Sequence, residues 1–252
     1  DFNVPQGDIE YTSERSETYM LRHSDIKGEV AIDGTHPNSS YAKILPFYIN
    51  GEGTNVQMRA NISNILADPG IRVAMQGSTD AGLTGKIISP LKPYTLAGTM
   101  NTDIVLDFRL SDIKRSTLEN IILNGDISFH NYKMRFPNLG IAASGNELNM
   151  NFGGKASDIS DKTIANGIFD MKANANKINV MAKGYDMNIS GLDFSSQMKE
   201  GHPARLSEIS ALMPFDLDIK ATAIDIANKR DTVRISMKNM LVDGQAVTRP
   251  GK

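Results

Sequence analysis

The sequence predicts a mainly β protein: a large curved, mostly antiparallel sheet built from repeated multi-strand units, with few short helices capping sheet ends. Three observations carry that expectation. Apolar and polar residues alternate over many segments. In 212–226, LMPFDLDIKATAIDI, residues Phe215, Leu217, Ile219, Ala221 and Ala223 fall on one side of an extended chain. Asp216, Asp218, Lys220 and Thr222 fall on the other. Turn-forming clusters punctuate such segments at even spacing, which favours antiparallel neighbours. Helical periodicity is confined to two short stretches.

In chain order, residues 1–25 (DFNVPQGDIEYTSERSETYMLRHSD) are polar with isolated apolar residues and read as a loosely ordered lead-in or edge segment. Residues 26–252 read as a single elongated β domain. GEVAI at 28–32 is a short strand and THPNSS at 35–40 a loop. Val56, Met58, Ala60 and Ile62 alternate until ADPG at 67–70, after which Ile71, Val73 and Met75 resume the pattern. Further strands are predicted at 102–111, 126–136, 146–152, 167–175, 178–182, 186–189 and 232–237, with NGD (124–126), SGN (144–146) and FGGK (152–155) as turns between them. The two helical stretches are 111–123 and 204–213; each runs into a strand and reads as a cap on a sheet end or edge. In 212–226, Ile224 and Ile226 shift to the even positions, which predicts a bulge or strand end near Ala223.

Composition narrows the function. The 252-residue chain carries a net charge of −2 with Lys and Arg scattered, so no basic stripe suits it to nucleic acid. Cysteine is absent, which removes disulfides, thiolate nucleophiles and Cys-based zinc sites. Methionine, with 13 residues, outnumbers Phe and suits both core gaps and adaptable apolar surfaces. No apolar run is long enough for a membrane helix, and no signal-peptide pattern opens the chain. The abrupt polar start and the TRPGK end look like those of a piece excised from a longer protein.

Catalytic and metal-binding patterns are missing. His23, His36, His130 and His202 are far apart and match no metal-ligand spacing. Asp68, Asp158 and Asp161 read as turn residues, because the calcium-loop spacing with its closing Glu is absent. GEG at 51–53 lacks the residues of a phosphate cradle, and no nucleophile elbow occurs. The expectation is a protein that is not an enzyme and needs no cofactor or metal.

The chain also echoes itself. An apolar-Asp-apolar-basic signature recurs at Leu106-Asp107-Phe108-Arg109, Phe169-Asp170-Met171-Lys172 and Leu217-Asp218-Ile219-Lys220. LPFYIN (45–50) matches MPFDLD (213–218), and each is followed by a similar strand, IRVAMQ (71–76) and VRISMK (233–238). The uneven spacing excludes a closed-period solenoid and suggests units of several strands laid side by side. With TDIVLDFRLSDI, LENIILNGDISF and NELNMNFGGK, MPFDLDIKATAIDI resembles the repeating strand units of the AsmA-like family of bacterial envelope proteins, which includes TamB, over nearly the whole chain from Ile26 to Val247. The resemblance implies a periplasmic segment, held by an N-terminal inner-membrane helix outside this chain. It implies an apolar groove and a part in phospholipid transport and outer-membrane assembly. It also implies partners: phospholipid or other acyl chains, and further repeat units of the same longer chain.

An amphipathic sheet must cover its apolar face with helices, a second sheet or a ligand. The helical stretches are too short to cover it, which leaves two expectations. In the first, part of the face takes acyl chains, each buried methylene contributing about 0.8 kcal/mol without any directional polar contact. The groove candidates are Leu106, Phe108, Leu110, Phe169, Met171, Phe215, Leu217, Ile219, Ile235 and Met237. In the second, two sheets close into a β-sandwich that serves as a structural or adhesion module of the envelope. The small residues Ala173, Ala175, Ala221 and Ala223 sit where a tight sandwich would place larger side chains, and they suit either a widened groove or the close approach of a helix, with the balance toward the groove.

Overall fold

In the computed structural model the described residues are 1–12, 18–83, 95–115, 122–137, 140–153, 171–182, 184–198, 214–228 and 233–247. They form fourteen strands: β1 (Phe2–Val4), β2 (Gly7–Thr12), β3 (Thr18–His23), β4 (Ile26–Ala31), β5 (Tyr41–Gly51), β6 (Thr54–Ser63), β7 (Gly70–Asp80), β8 (Thr95–Arg109), β9 (Ile122–Phe136), β10 (Ile141–Phe152), β11 (Met171–Ala182), β12 (Tyr185–Met198), β13 (Pro214–Asn228) and β14 (Arg234–Val247). A turn of 3₁₀ helix (Pro37–Ser39) and a short helix, α1 (Leu110–Arg115), interrupt them, and residues 81–83, after β7, are helical as well.

All fourteen strands belong to one open, antiparallel sheet. From β4 to β14 each strand pairs antiparallel with the next in sequence, as consecutive elements most often do. At the N-terminal edge, β1 lies beside β4, and the β2–β3 hairpin joins β5 through Arg22 and His23 alone. No described strand leaves this sheet to form a second one, so the two sheets of a sandwich are not seen among the described residues.

The strands are longer than the sequence pattern suggested. The predicted pair 167–175 and 178–182 is, from Met171 on, the single strand β11; 186–189 is the start of the longer β12; 232–237 overlaps the first part of β14. NGD at 124–126 and SGN at 144–146, read as turns, lie inside β9 and β10. Gly125 is there for close approach: it has φ of 117°, and a Cβ on it would sit 2.0 Å from the Asp103 carbonyl oxygen of β8. GEG at 51–53 does turn the chain between β5 and β6, with Glu52 and Gly53 at positive φ. Of the predicted helix 111–123, α1 takes the first turn and β9 begins at Ile122. The Asp112 carboxylate accepts the Arg109 amide at 3.0 Å, reaching back over the first turn as an N-terminal cap. Asp68, from the ADPG turn, accepts both the amide (3.1 Å) and the hydroxyl (2.7 Å) of Ser111. The predicted helix 204–213 lies outside the described residues.

One feature explains the misread strand lengths. In an antiparallel pair, directly opposed residues point to the same face. Along β11 the buried residues are Ala173 and Ala175 and then Ile178, so the buried side moves from odd to even positions. The same step occurs in β9 between Phe129 and Tyr132, and in β13 between Ala221 and Ile224. The β11–β12 and β12–β13 registers run through this point without slipping, because both strands carry the extra residue. Residues with left-handed backbone mark it: Asn131 (φ 49°), Gly191 (φ 58°) and Asn239 (φ 52°). Between β8 and β9 the step is a bulge, with the register changing between Ala97 and Thr99. A seam therefore crosses the sheet at mid-strand, and an inserted doublet of residues in β9 to β14 lets the apolar face continue on both sides of it.

Candidate functional site

The feature that stands out is the apolar face itself. On one side of the seam, a row runs Thr102, Ile127, Met150, Ala173, Phe194, Ile219 and Val242, one residue from each of β8 to β14. The next row runs Ile104, Gly125, Phe152, Met171, Ser196, Leu217 and Gly244. Beyond the seam, Tyr132, Gly145, Ile178, Ile189, Ile224 and Met237 form one row, and Leu96, Met134, Ala143, Val180, Met187, Ile226 and Ile235 another. Period-two alternation in each strand, combined with aligned registers, produces these rows.

The face is packed most tightly where β8 and β9 meet. Met100, Phe129 and Tyr132 are buried there with Ala81, and Leu96, Ile127, Met134, Leu148 and Met150 pack around them. The ring centroids of Phe129 and Tyr132 are 6.5 Å apart in an edge-to-face arrangement. Tyr132, only 2% exposed, lies over Gly145 of β10: a Cβ on that glycine would come within 2.6 Å of the tyrosine oxygen. Burial raises the Tyr132 phenol above its ordinary range, and its hydroxyl has no hydrogen-bond partner among the described residues. The Thr102 hydroxyl, on the same face, is equally unsatisfied. Two unsatisfied polar atoms thus sit inside a largely apolar surface.

The opposite face is polar and internally hydrogen-bonded. Gln57, Gln76, Asp103, Asp126 and Asn151 form a row across β6 to β10. Along it, Asn151 Nδ2 donates to Asp126 at 2.9 Å and Gln76 Nε2 to Asp103 at 3.5 Å. Asn149 Nδ2 donates to Glu147 and to Asn174. These contacts leave a solvated surface with its charges partly compensated.

Seven of the ten predicted groove residues lie on the apolar face. Met171, Leu217, Ile219, Ile235 and Met237 occupy the rows above, and Leu106 and Phe108 of β8 pair with Val73 and Ile71 of β7. Leu106, Phe108, Met171, Leu217 and Ile219 are each half-buried, whereas Ile235 and Met237 on the outermost strand are 49% and 37% exposed. Leu110 departs from the prediction, because it opens α1 and its amide donates to the Pro69 carbonyl. Phe215 is in β13, opposite Ala246, with its side chain outside the described residues, and Phe169 lies outside them altogether. Of the four small residues, Ala173, Ala175 and Ala221 are buried on the apolar face. Ala223 is on the polar face, opposite Ser190 and Lys238, because the seam intervenes after Ala221.

Sequence reasoning missed Phe129, Tyr132, Ile178, Ile189 and Ile224. A signal for them exists. Ala175–Ile178, Ile189–Leu192, Ala221–Ile224 and Met237–Met240 are apolar pairs three apart that straddle a doublet: Asn176-Lys177, Ser190-Gly191, Thr222-Ala223 and Lys238-Asn239.

Chemistry-bearing groups remain dispersed. Among the described residues no three His, Cys, Asp or Glu side chains converge as metal ligands. Asp33 has the most distinctive setting: its carboxylate accepts from the Thr35 hydroxyl (2.6 Å) and the amides of Thr35 and His36, which hold it well below the usual carboxylate range. That cluster closes an exposed loop and faces no cavity. No helix among the described residues is long and apolar enough to cross a membrane. Searches against protein-family models, curated proteins and solved structures find no match for this chain.

Proposed function

We propose that this chain is a non-enzymatic lipid-handling module of the bacterial cell envelope whose apolar sheet face takes acyl chains. One observation carries the reading: a single open sheet presents largely apolar rows across β8 to β14, and large side chains in them such as Met171, Phe194, Leu217 and Ile219 remain half-buried. A face of that kind needs a covering layer. Alkyl chains lying along the rows would bury it without directional contacts, each methylene contributing about 0.8 kcal/mol. The resemblance to AsmA-like envelope proteins supports the same reading. It extends the proposal to the periplasm, to phospholipid as the cargo, to an inner-membrane anchor outside this chain, and to a part in outer-membrane assembly.

The test is uptake of a fluorescent fatty acid by the purified chain. The proposal expects saturable uptake, lost on Ile219→Glu or Phe108→Glu with the β-sheet circular dichroism signal retained. Unfolding of both variants, with no uptake by the parent protein, would show a face sealed by protein instead.

A further inference from the structure

The two edges of the sheet differ. The N-terminal edge is broken into short pieces: β1 spans three residues, and β3 meets β5 at two positions. Such an edge resists addition of a further strand. At the other end β14 runs fourteen residues and, among the described residues, pairs only with β13. It contains no proline, and Ile235, Leu241 (63% exposed) and Val242 (45%) are open to solvent. Long and free of proline, it is a template for another strand.

The residues of β14 specify which strand. Asp243 sits directly opposite Asp218 of β13, a like-charge pair on the polar face. Arg234 lies on that same face at the other end, opposite Ala227. We propose that β14 pairs with β14 of a second copy of this chain, antiparallel about a two-fold axis between Lys238 and Asn239. In this register Met240 of one copy opposes Met237 of the other, and Val242 opposes Ile235, so the apolar rows continue across the junction. Asp243 opposes the other copy's Arg234, and symmetry makes that ion pair twice. Each arginine then offsets the repulsion between Asp218 and Asp243. A two-fold contact uses one patch on both partners and closes at the dimer, while head-to-tail growth onto β1 would gain only three paired residues.

Sedimentation velocity of the 252-residue chain over a concentration series tests this. The wild type is expected to dimerise. Asp243→Arg places like charges across the junction twice and should weaken the dimer by at least about tenfold. The same change sets an arginine beside Asp218 within the monomer, so the urea midpoint should hold or rise. The charge swap R234D with D243R should restore the dimer. A wild type that is monomeric at every soluble concentration overturns the proposal, as does a dimer indifferent to Asp243→Arg or not restored by the swap.

Discussion

Tyr132 is the largest side chain that the sheet buries fully, and its oxygen has no partner among the described residues. Leaving a buried hydroxyl unpaired costs about 1–3 kcal/mol. Tyr132→Phe is therefore expected to stabilise the free protein by about 1 kcal/mol in urea unfolding. The same burial sets a pH dependence. The folded-state phenol titrates above the ordinary value of 10.0 that applies to the unfolded chain. The folded protein then holds the proton longer, so its stability falls as pH rises past 10. That part of the fall should disappear in Tyr132→Phe, as read from urea midpoints along a pH series. Neither feature was legible in the sequence, where Tyr132 is one polar-tipped aromatic in HNYKMRF and nothing reveals that Gly145 makes room beneath it.

At the scale of the element, the seam decides how the sequence must be read. Strict alternation predicts strands that stop where the pattern shifts, and by that rule β11 divides in two. The observed strand continues because β10, β11 and β12 carry the additional residue at the same level, keeping register while changing the exposed side. Existence and type of strands were legible from period-two patterning. Their length was not, since a doublet such as Asn176-Lys177 resembles a turn when its neighbours are unknown. The turns NGD and SGN were misplaced for a related reason: a glycine in a strand that another backbone approaches closely looks, in one sequence, like a glycine in a turn. The seam makes its own prediction at Gly191. Its φ of 58° and a space that would put a Cβ 2.2 Å from the Thr222 hydroxyl oxygen leave no room for a side chain. Gly191→Val is expected to destabilise the protein by about 2 kcal/mol or more, by strain and by displacement of Thr222. Asn239→Gly, at a left-handed position on the outermost strand, should fall within about 0.5 kcal/mol of the parent in the same urea experiment.

For the whole molecule, the decisive fact is how little of a large apolar surface is sealed. Full burial is found near β8 and β9, at Phe152, Ile178 and Ile224, and at small residues such as Ala173, Ala175 and Ala221, while Leu106, Phe108, Leu217 and Ile219 stay half-buried. The sequence showed that a greasy face existed and named seven of its residues. It could not order the rows, because a row is a property of registers between strands. Binding carried by such rows depends on apolar area, so fatty-acid uptake should vary little between low and high salt, unlike a charge-driven contact. A strong loss of uptake on adding salt would point to the polar face instead. Native mass spectrometry of the chain expressed in bacteria and purified without detergent tests the central claim most directly. The account predicts mass adducts of phospholipid or fatty acid on the parent protein that are absent from a folded Ile219→Glu variant. A parent protein of bare polypeptide mass, still empty after incubation with phospholipid, would contradict it.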